Sequence, residues 1–450
     1  MSPALIDQQT TIAGVAQSLI RALRGRQVEE ELHSQFQEIE LLRETWISKI
    51  QSLQSSRRPK SRRERATVLL VGSTGSFGPY ILNCLILDPG VEAVVCLNRL
   101  GNDQVKQQKT HQDRGLSLDF SKVNFLQTDD SGLESFNHGE IGYRDIANRA
   151  THIVHNAWPV NFNLPLHSFT PQLATCFRLI ELAKNSANEV TITFLSSIGA
   201  AANWNKQGLK VPETRLTDLS VAEHMGYAQS KLLAELLFVA AHEHLKLSTN
   251  ICRIEQIAGP VTLTTGAWNP HEWFPSLLQS SQRIGKIPET LGSANRVNWI
   301  PVDKLASILC EATVSNDSET ASVDAFAVGG QNRVMHFVNP QVIAWSKLVR
   351  DAVDALDGGV SVVEYEHWLQ SILDSDDLLV DNMKTMGASC IPAKKIIGFF
   401  ERIGTHGLEV PKFETAEAER ASRSLRTLSP VSDLWLRCWV KQLRKRRWLT

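Results

Sequence analysis

The chain has 450 residues, of which 42% are hydrophobic and 21% are charged, as expected of a globular protein with a large core. Its formal net charge is -1, so the molecule as a whole has no electrostatic attraction to nucleic acid or to an anionic membrane. The seven cysteines are dispersed without a CxxC pair and indicate neither a disulfide framework nor a zinc site.

The first 66 residues predict a helical arm followed by a basic linker. Residues 10–55 carry apolar side chains at helical spacing, among them Ile39 and Trp46. Residues 55–65 (SSRRPKSRRER) form a basic stretch that we interpret as a solvated linker; a nuclear-import or polyanion-binding patch is the alternative. The N-terminus does not resemble a signal peptide and no apolar run is long enough to span a membrane, so we expect a soluble, cytoplasmic protein.

From Thr67 onward, short apolar segments alternate with helical patterns. This alternation predicts an α/β fold, a Rossmann-type doubly wound parallel sheet. We assign residues 67–260 to an NADP-binding domain and residues 261–450 to a mainly helical substrate-binding region that returns one or two strands to the sheet. The predicted strands are Thr67–Val71, Glu92–Leu97, Val123–Leu126, His152–His155, Val190–Leu195 and Leu247–Cys252, and the main predicted helices between them are Leu166–Ala187 and Gly226–His244.

A glycine-rich segment lies between the first predicted strand and the helix predicted from Pro79. In such a loop Gly72 allows the tight turn, Gly75 lets the backbone approach a diphosphate, and Gly78 lets the helix pack closely on the strand. The free N–H groups at the start of the helix favour an anion there. The predicted cofactor loop consists of Gly72, Ser73, Thr74, Gly75, Ser76, Phe77 and Gly78.

Three further residues are predicted to contact the cofactor. The second strand ends at Asn98-Arg99, where an NAD-binding protein would carry an acidic residue for the ribose hydroxyl. A guanidinium binds a 2′-phosphate, which an acid would repel, so Arg99 favours NADP(H). Asp129 follows the third strand and is expected to reach the adenine, and Asn156 follows the fourth and is expected to lie along the cofactor.

Tyr227, Lys231 and Ser197 are the predicted catalytic residues. The tyrosine and the lysine are four residues apart on one predicted helix and point the same way. Reduction of a carbonyl develops negative charge on its oxygen, which requires a proton donor, and a nearby Lys⁺ is expected to lower the pKa of the phenol and to bind the nicotinamide ribose. Ser197, at the end of the fifth strand, supplies a second hydrogen bond to that oxygen; Ser196 is its rival for this role.

These motifs resemble the extended short-chain dehydrogenases/reductases and, within them, the thioester reductase domains of fungal non-ribosomal peptide synthetase-like enzymes. The resemblance runs from about Thr67 towards the C-terminus and is most specific up to Asp303. It departs from the family pattern at Val71, where threonine is frequent, and at Glu255, where glycine is common. The segments that carry it are VGSTGSFG (71–78), HNAWPVNF (155–162), FLSSI (194–198), RIEQIAGP (253–260), NPHEWFP (269–275) and WIPVD (299–303).

The resemblance implies NADPH-dependent reduction of an acyl thioester on a phosphopantetheine arm, which releases an aldehyde that some members reduce to the alcohol. Ser197 and Tyr227 then hold the thioester oxygen and Lys231 positions the cofactor. The region from Trp268 to Trp299 is expected to shape the acyl channel, its aromatic side chains either contacting the substrate or packing in the interior. Such domains usually follow adenylation and carrier domains, for which the first 66 residues are too short. A carrier-bound substrate supplied in trans, in secondary metabolism, is therefore the leading hypothesis.

Two alternatives remain open from the sequence: a reductase of a free, small-molecule aldehyde or ketone, and a non-catalytic protein that senses NADP(H). We predict no metal site, because His152 and His155 are three apart on a strand and face opposite sides. The basic tail from Lys441 to Arg447 is interpreted as the exposed end of a last helix.

Overall fold

The computed structural model describes residues 36–54, 60–61, 63–99, 104–128, 145–205, 208–263, 265–266, 268–314, 330–375, 391–404 and 411–449. The helical pattern that the sequence shows before residue 36 and most of the basic linker lie outside these ranges.

Seven parallel strands form the central sheet, in the order β7-β6-β5-β4-β1-β2-β3. Its first six strands coincide with the six predicted ones, so the Rossmann-type fold class is confirmed. The chain reverses its direction of progress along the sheet between β1 and β4, and ligands of such sheets bind outside the carboxyl ends of the strands at that point. The strands are β1 (Ala66–Val71), β2 (Val91–Arg99), β3 (Val123–Thr128), β4 (His152–His155), β5 (Thr191–Ser197), β6 (Ser248–Ile254) and β7 (Asn332–Phe337).

Helices cover both faces of the sheet, and a further group of helices follows β6. The labelled helices are α1 (36–52), α2 (Gly78–Leu87), α3 (Gln104–Arg114), α4 (Thr170–Asn185), α5 (Gly226–Leu245), α6 (Trp273–Ile284), α7 (Val302–Thr313), α8 (Trp345–Ala355), α9 (Tyr365–Asp374), α10 (Ile397–Gly404), α11 (Ala416–Ala421), α12 (Arg423–Arg426) and α13 (Asp433–Lys445). Residues 145–149 form one more helical turn. Short strand pairs join Ile257–Ala258 to Ile300–Pro301, Arg296–Val297 to Ile343–Ala344, and Lys286–Pro288 to Ser361–Val363.

The alternation of side chains along β1 divides the sheet's apolar contacts between two cores. Leu69 and Val71 point to the face covered by α1, α4 and α5, whereas Val68 and Leu70 point to the face covered by α2 and α7. A buried strand with apolar residues on both sides is typical of a parallel sheet enclosed by helices. Within the described residues, no helix has both the length and the apolar character needed to cross a membrane.

The C-terminal region has a core of its own, built from α6, α8, α9, α10 and α13. Its largest fully buried side chains include Trp345, Trp368 and Trp439. The region is tied back to the sheet by β7, which pairs with β6. Beside β7, Arg253 on β6 donates to Glu235 on α5 at 2.7 Å in a buried ion pair. Truncating either partner of such a pair leaves an uncompensated charge in the interior.

Candidate active site

The glycine loop between β1 and α2 has the backbone geometry that a dinucleotide requires. Gly72 has φ of +89°, and a Cβ there would lie 2.9 Å from the backbone nitrogen of Ala157. A Cβ on Gly78 would lie 2.3 Å from the carbonyl oxygen of Gly72, so only glycine allows α2 to start this close to the strand. A Cβ on Gly75 would lie 3.9 Å from the carbonyl oxygen of Gly72, an ordinary contact distance, so this side of the Gly75 backbone is open to a ligand. The loop therefore fits a diphosphate against the N-terminus of α2.

Ser73 anchors this loop from inside the protein. It is fully buried, and its amide donates to Oδ1 of Asn98 at 3.0 Å. Its hydroxyl accepts from Nδ2 of Asn98 at 2.8 Å and donates to Oε1 of Gln107 at 3.0 Å. The side chain of Ser73 thus holds the loop against β2 and α3 and does not face the cleft.

The other loop residues divide into buried and open positions. Phe77 is 4% exposed and packs in the core beneath α2, so only its backbone can face a ligand. Gly75 and Ser76 are exposed and Thr74 is half-buried. These three positions form the surface that the loop presents to an anion.

The remaining predicted cofactor residues lie at the carboxyl edge of the sheet where the structure describes them. Arg99 is exposed at the end of β2 and is paired in register with Thr128 on β3. Asp129 lies outside the described residues. Asn156 donates from Nδ2 to the carbonyl oxygen of Gly72 at 2.9 Å, so it fixes the first turn of the glycine loop.

The two serines at the end of β5 have different surroundings. Ser196 is 4% exposed, and its hydroxyl donates to Oε1 of Glu235 at 2.5 Å. Ser197 is half-buried and accepts from the amide of Gly199 at 3.1 Å, and its hydroxyl is near enough to Tyr227 to lower the pKa of the phenol. The geometry thus assigns Ser196 to the interior and brings Ser197 together with the phenol.

Burial sets the acidity of Tyr227 in this structure. It raises the pKa of the phenol to about 12, against the opposing effect of the hydrogen bond with Ser197. The expectation that Lys231 lowers this pKa is not met, because burial dominates. The hydroxyl is therefore protonated at neutral pH and is a proton donor.

Lys231 lies in a box of aromatic rings. Its Nζ donates to the carbonyl oxygen of Leu195 at 2.6 Å and lies 4.5 Å from the ring centroid of Trp158 and 4.8 Å from that of Phe194. The ring of Tyr227 is farther away, at 5.8 Å. Removal from water lowers the pKa of Lys231 to about 7.

His155, at the end of β4, completes the box. It is 1% exposed, and neither ring nitrogen has a hydrogen-bond partner. Burial, aided by the charge of Lys231, lowers its pKa to about 3, so the ring is neutral and packs against Trp158 and Phe194.

Two apolar residues at the mouth of the site carried no predicted role. Phe162 meets the ring of Tyr227 edge to face, with centroids 5.3 Å apart, and is 47% exposed. Val160 is 71% exposed on the same segment after β4. In the sequence, these two apolar residues alternate with Pro159 and Asn161 in the segment that follows β4. Apolar residues in such a loop were the signal that could have indicated a substrate-binding surface.

The predicted acyl-channel aromatics are mostly interior residues. Trp268, Phe274 and Trp299 are at most 3% exposed and pack on one another, whereas Trp273 is partly exposed. Of the two expected roles, three of these four aromatic residues therefore have the packing role, because burial in a cluster removes their large apolar surface from water.

Two half-buried acids, Glu255 and Glu272, lie near these residues. Glu255 directly follows Ile254, which is paired in register with Ser197, so the backbone of Glu255 leaves β6 beside the end of β5. Burial raises its pKa to about 7. Burial also raises the pKa of Glu272 to about 7, while the indole of Trp268 donates to it at 2.7 Å.

A family model described as male sterility protein, an NAD-binding domain, matches residues 70–309, which includes the loop, Ser197, Tyr227 and Lys231. The chain belongs to this family. The family's NAD(P)-binding domain agrees with the glycine loop and the Rossmann-type strand order described above.

Two of the curated relatives of the chain are fungal reductases. A carboxylic acid reductase of Neurospora crassa is 30% identical over 85% of this chain and 36% of its own length. An adenylate-forming reductase of Serpula lacrymans is 30% identical over 97% of this chain and 40% of its own length. The chain thus spans no more than about two fifths of either relative.

Solved structures of reductase domains share the fold. The terminal R domain of the myxalamid biosynthetic pathway superposes with a TM-score of 0.69 at 19% identity, covering 90% of this chain and 98% of that domain. The R domain of a non-ribosomal peptide synthetase from Mycobacterium tuberculosis gives a TM-score of 0.65 at 19% identity, covering 90% of this chain and 96% of that domain.

Proposed function

We propose that this chain is an NADP(H)-dependent reductase that converts an acyl thioester into an aldehyde and a thiol. The observation that carries the proposal is the pairing of the Tyr227 and Ser197 side chains at the same sheet edge as a glycine loop shaped for a diphosphate. The names of the relatives, a carboxylic acid reductase and an adenylate-forming reductase, support this reaction class.

The cofactor would lie across the carboxyl ends of the strands. The backbone of Thr74–Ser76 would hold its diphosphate, and Arg99 would bind a 2′-phosphate at the end of β2. We favour NADP(H) over NAD(H) because the end of β2 carries Asn98 and Arg99 rather than an acid. When bound, the cofactor supplies a hydride for the carbonyl carbon of the substrate.

The chain's own residues would manage the charge on the thioester oxygen. Tyr227, protonated at neutral pH, donates a hydrogen bond and then a proton to this oxygen, and the Ser197 hydroxyl donates a second hydrogen bond. Lys231 contributes positive charge close by while it is protonated. The resulting hemithioacetal collapses as its C–S bond breaks, and the thiolate takes up a proton. One thioester, one NADPH and one proton thus give one aldehyde, one thiol and NADP⁺.

The substrate side of the site suits an acyl group on a long arm. The exposed ring of Phe162 lies directly beside Tyr227, and Val160 is exposed two residues earlier on the same segment, so the two offer apolar surface to an acyl group. We propose that the thioester is carried on a phosphopantetheine arm and supplied by a partner protein in secondary metabolism. We further propose a reducing, cytoplasmic setting, in keeping with the six free cysteines among the described residues.

The test uses the purified chain with NADPH and a panel of acyl-pantetheine thioesters and free aldehydes and ketones, and identifies the products by mass spectrometry. We expect NADPH oxidation that yields an aldehyde and free thiol, or the alcohol if a second reduction follows. Activity on the free carbonyls alone would replace thioester release with carbonyl reduction. Cofactor binding without turnover of any member of the panel would favour a sensor.

A further inference from the structure

Two arginines from distant parts of the sequence meet beside the glycine loop. Arg114 is the last residue of α3, and its Nη1 donates to the carbonyl oxygen of Ser76 at 2.6 Å. Arg446 directly follows α13, and its Nη2 donates to the carbonyl oxygens of Asp113 at 2.9 Å and Thr265 at 3.0 Å. The basic tail is therefore more than the exposed end of a helix, because one of its arginines joins α13 to α3.

Neither guanidinium has an anionic partner in the part of the chain that the structure describes. Both are bonded to neutral carbonyl oxygens, and both lie over aromatic rings: Arg114 is 5.3 Å from the ring centroid of Tyr80, and Arg446 is 5.7 Å from that of Trp448. The nearest acid in sequence, Asp113, is exposed and forms no ion pair with either arginine.

The two positive charges repel each other. Arg114 is half-buried, and its pKa is lowered from its ordinary value by burial and by the charge of Arg446, while Tyr80 and Asp113 act in the opposite direction. Two neighbouring cations that form no ion pair with the described residues are a local electrostatic cost that a bound anion reduces. Arginine is also the residue best suited to bind phosphate oxygens in pairs.

The position of the pair identifies the anion. Ser76, the residue that Arg114 holds, is exposed between Gly75 and the start of α2, which is where the loop would receive a diphosphate. We propose that Arg114 and Arg446 form a clamp on the diphosphate of the nicotinamide cofactor, so that α13 of the C-terminal region takes part in cofactor binding. The inference rests on the proposed use of a nicotinamide cofactor and adds two residues to its site.

The adenosine 2′-phosphate is a different anion at a different place. Arg99, which ends β2, lies where this phosphate is expected. A clamp on the diphosphate therefore predicts equal effects on NADPH and NADH, because the two nucleotides share the diphosphate and differ only in the 2′-phosphate.

The experiment measures the dissociation constants of NADPH and NADH, without substrate, for the wild-type chain and for Arg114→Gln, Arg446→Gln and Lys441→Gln. Lys441 is the matched control, an exposed cation on α13. We expect each arginine variant to weaken both nucleotides by about tenfold, the size of one charge-assisted hydrogen bond, and the control to bind like the wild type. Thermal stabilisation by inorganic pyrophosphate, in the wild type but not in the arginine variants, is the second readout and also reports whether each variant is folded.

Three results overturn the clamp. Unchanged affinity for both nucleotides in the arginine variants would remove it, and a loss confined to NADPH would reassign the arginines to the 2′-phosphate. Unchanged nucleotide affinity with poorer use of phosphopantetheine thioesters would assign them to the arm of the substrate instead. A wild-type chain that binds neither nucleotide would refute the proposed function itself, which is a separate outcome.

Discussion

The Rossmann half and the C-terminal region of this molecule use aromatic and ionisable side chains in opposite ways. At the end of β5, aromatic rings surround Lys231 and an exposed Phe162 borders Tyr227, so apolar groups shape a reactive site. In the C-terminal region the tryptophans pack on each other, as Trp268 and Trp439 do with centroids 5.0 Å apart. The same residue types therefore indicate chemistry in one region and stability in the other, and only their surroundings distinguish the two.

A buried polar network joins these two regions. Glu213 accepts from the amides of His336 on β7 and Ala418 on α11 at 2.8 and 3.1 Å. Nε2 of His336 also lies 3.2 Å from Nη1 of Arg253, which is paired with Glu235 on α5. The helix that carries Tyr227 is thus held in part by residues from the C-terminal region.

The largest effect separates Tyr227 from Tyr365. Tyr227→Phe removes the proton donor, so we expect turnover of the thioester to fall by about 10²- to 10⁴-fold with unchanged NADPH affinity. Tyr365→Phe removes a hydroxyl that donates to the carbonyl oxygen of Phe400 at 2.7 Å in the C-terminal core. It should cost about 1 kcal/mol of stability and leave turnover intact. Steady-state kinetics and urea unfolding of both variants check this. Equal turnover in the two variants would contradict a role for Tyr227 as the proton donor.

The next largest effect tests the tryptophan core. Trp299 is 2% exposed, so Trp299→Ala should lower the free energy of unfolding by about 3–5 kcal/mol through lost burial and a cavity. Trp273→Ala, at a partly exposed neighbouring position, should lower it less. A change in acyl-chain preference on Trp299→Ala without loss of stability would instead make that side chain part of the channel.

How far the sequence predicts the structure differs between the regions for a physical reason. The strands, the glycine loop and the Tyr–Lys spacing can be predicted from the sequence because each depends on a local pattern of a few neighbouring residues. The environment of Lys231 on α5 does not, because Trp158 follows β4 and Phe194 lies on β5, both far from Lys231 in sequence. The burial that raises the pKa of the phenol is non-local in the same way. The meeting of Arg114 with Arg446 is equally non-local, as is the burial of Trp268.

The third effect compares the two adjacent serines. Ser197→Ala removes a donor to the developing oxyanion and should lower turnover by about 10²- to 10³-fold. Ser196→Ala breaks the bond to Glu235, so it should reduce stability and leave turnover much less affected. The same kinetic and unfolding assays decide between them, and the reverse pattern would make Ser196 the catalytic serine.

The last effect is a change in how the free energy of unfolding depends on pH. In the folded chain the pKa of Lys231 is about 7, well below its ordinary value of 10.5, so between these values the unfolded chain holds one proton more. The free energy of unfolding therefore gains a contribution that rises with pH over this window. Lys231→Met, which keeps an apolar chain in the box, should lack this rise in urea unfolding measured across the window. Parallel profiles for the two proteins would mean that the ammonium is not desolvated.

The most direct measurement follows an isotope. The wild-type chain is given an acyl-pantetheine thioester and NADPH that carries deuterium on the transferable position of its nicotinamide ring, and the product is analysed by mass spectrometry. We predict an aldehyde with one deuterium on the former thioester carbon, and almost none of it from Tyr227→Phe. An aldehyde without deuterium, or a wild-type chain that binds NADPH yet forms no product from any thioester, would contradict a thioester reductase at this site.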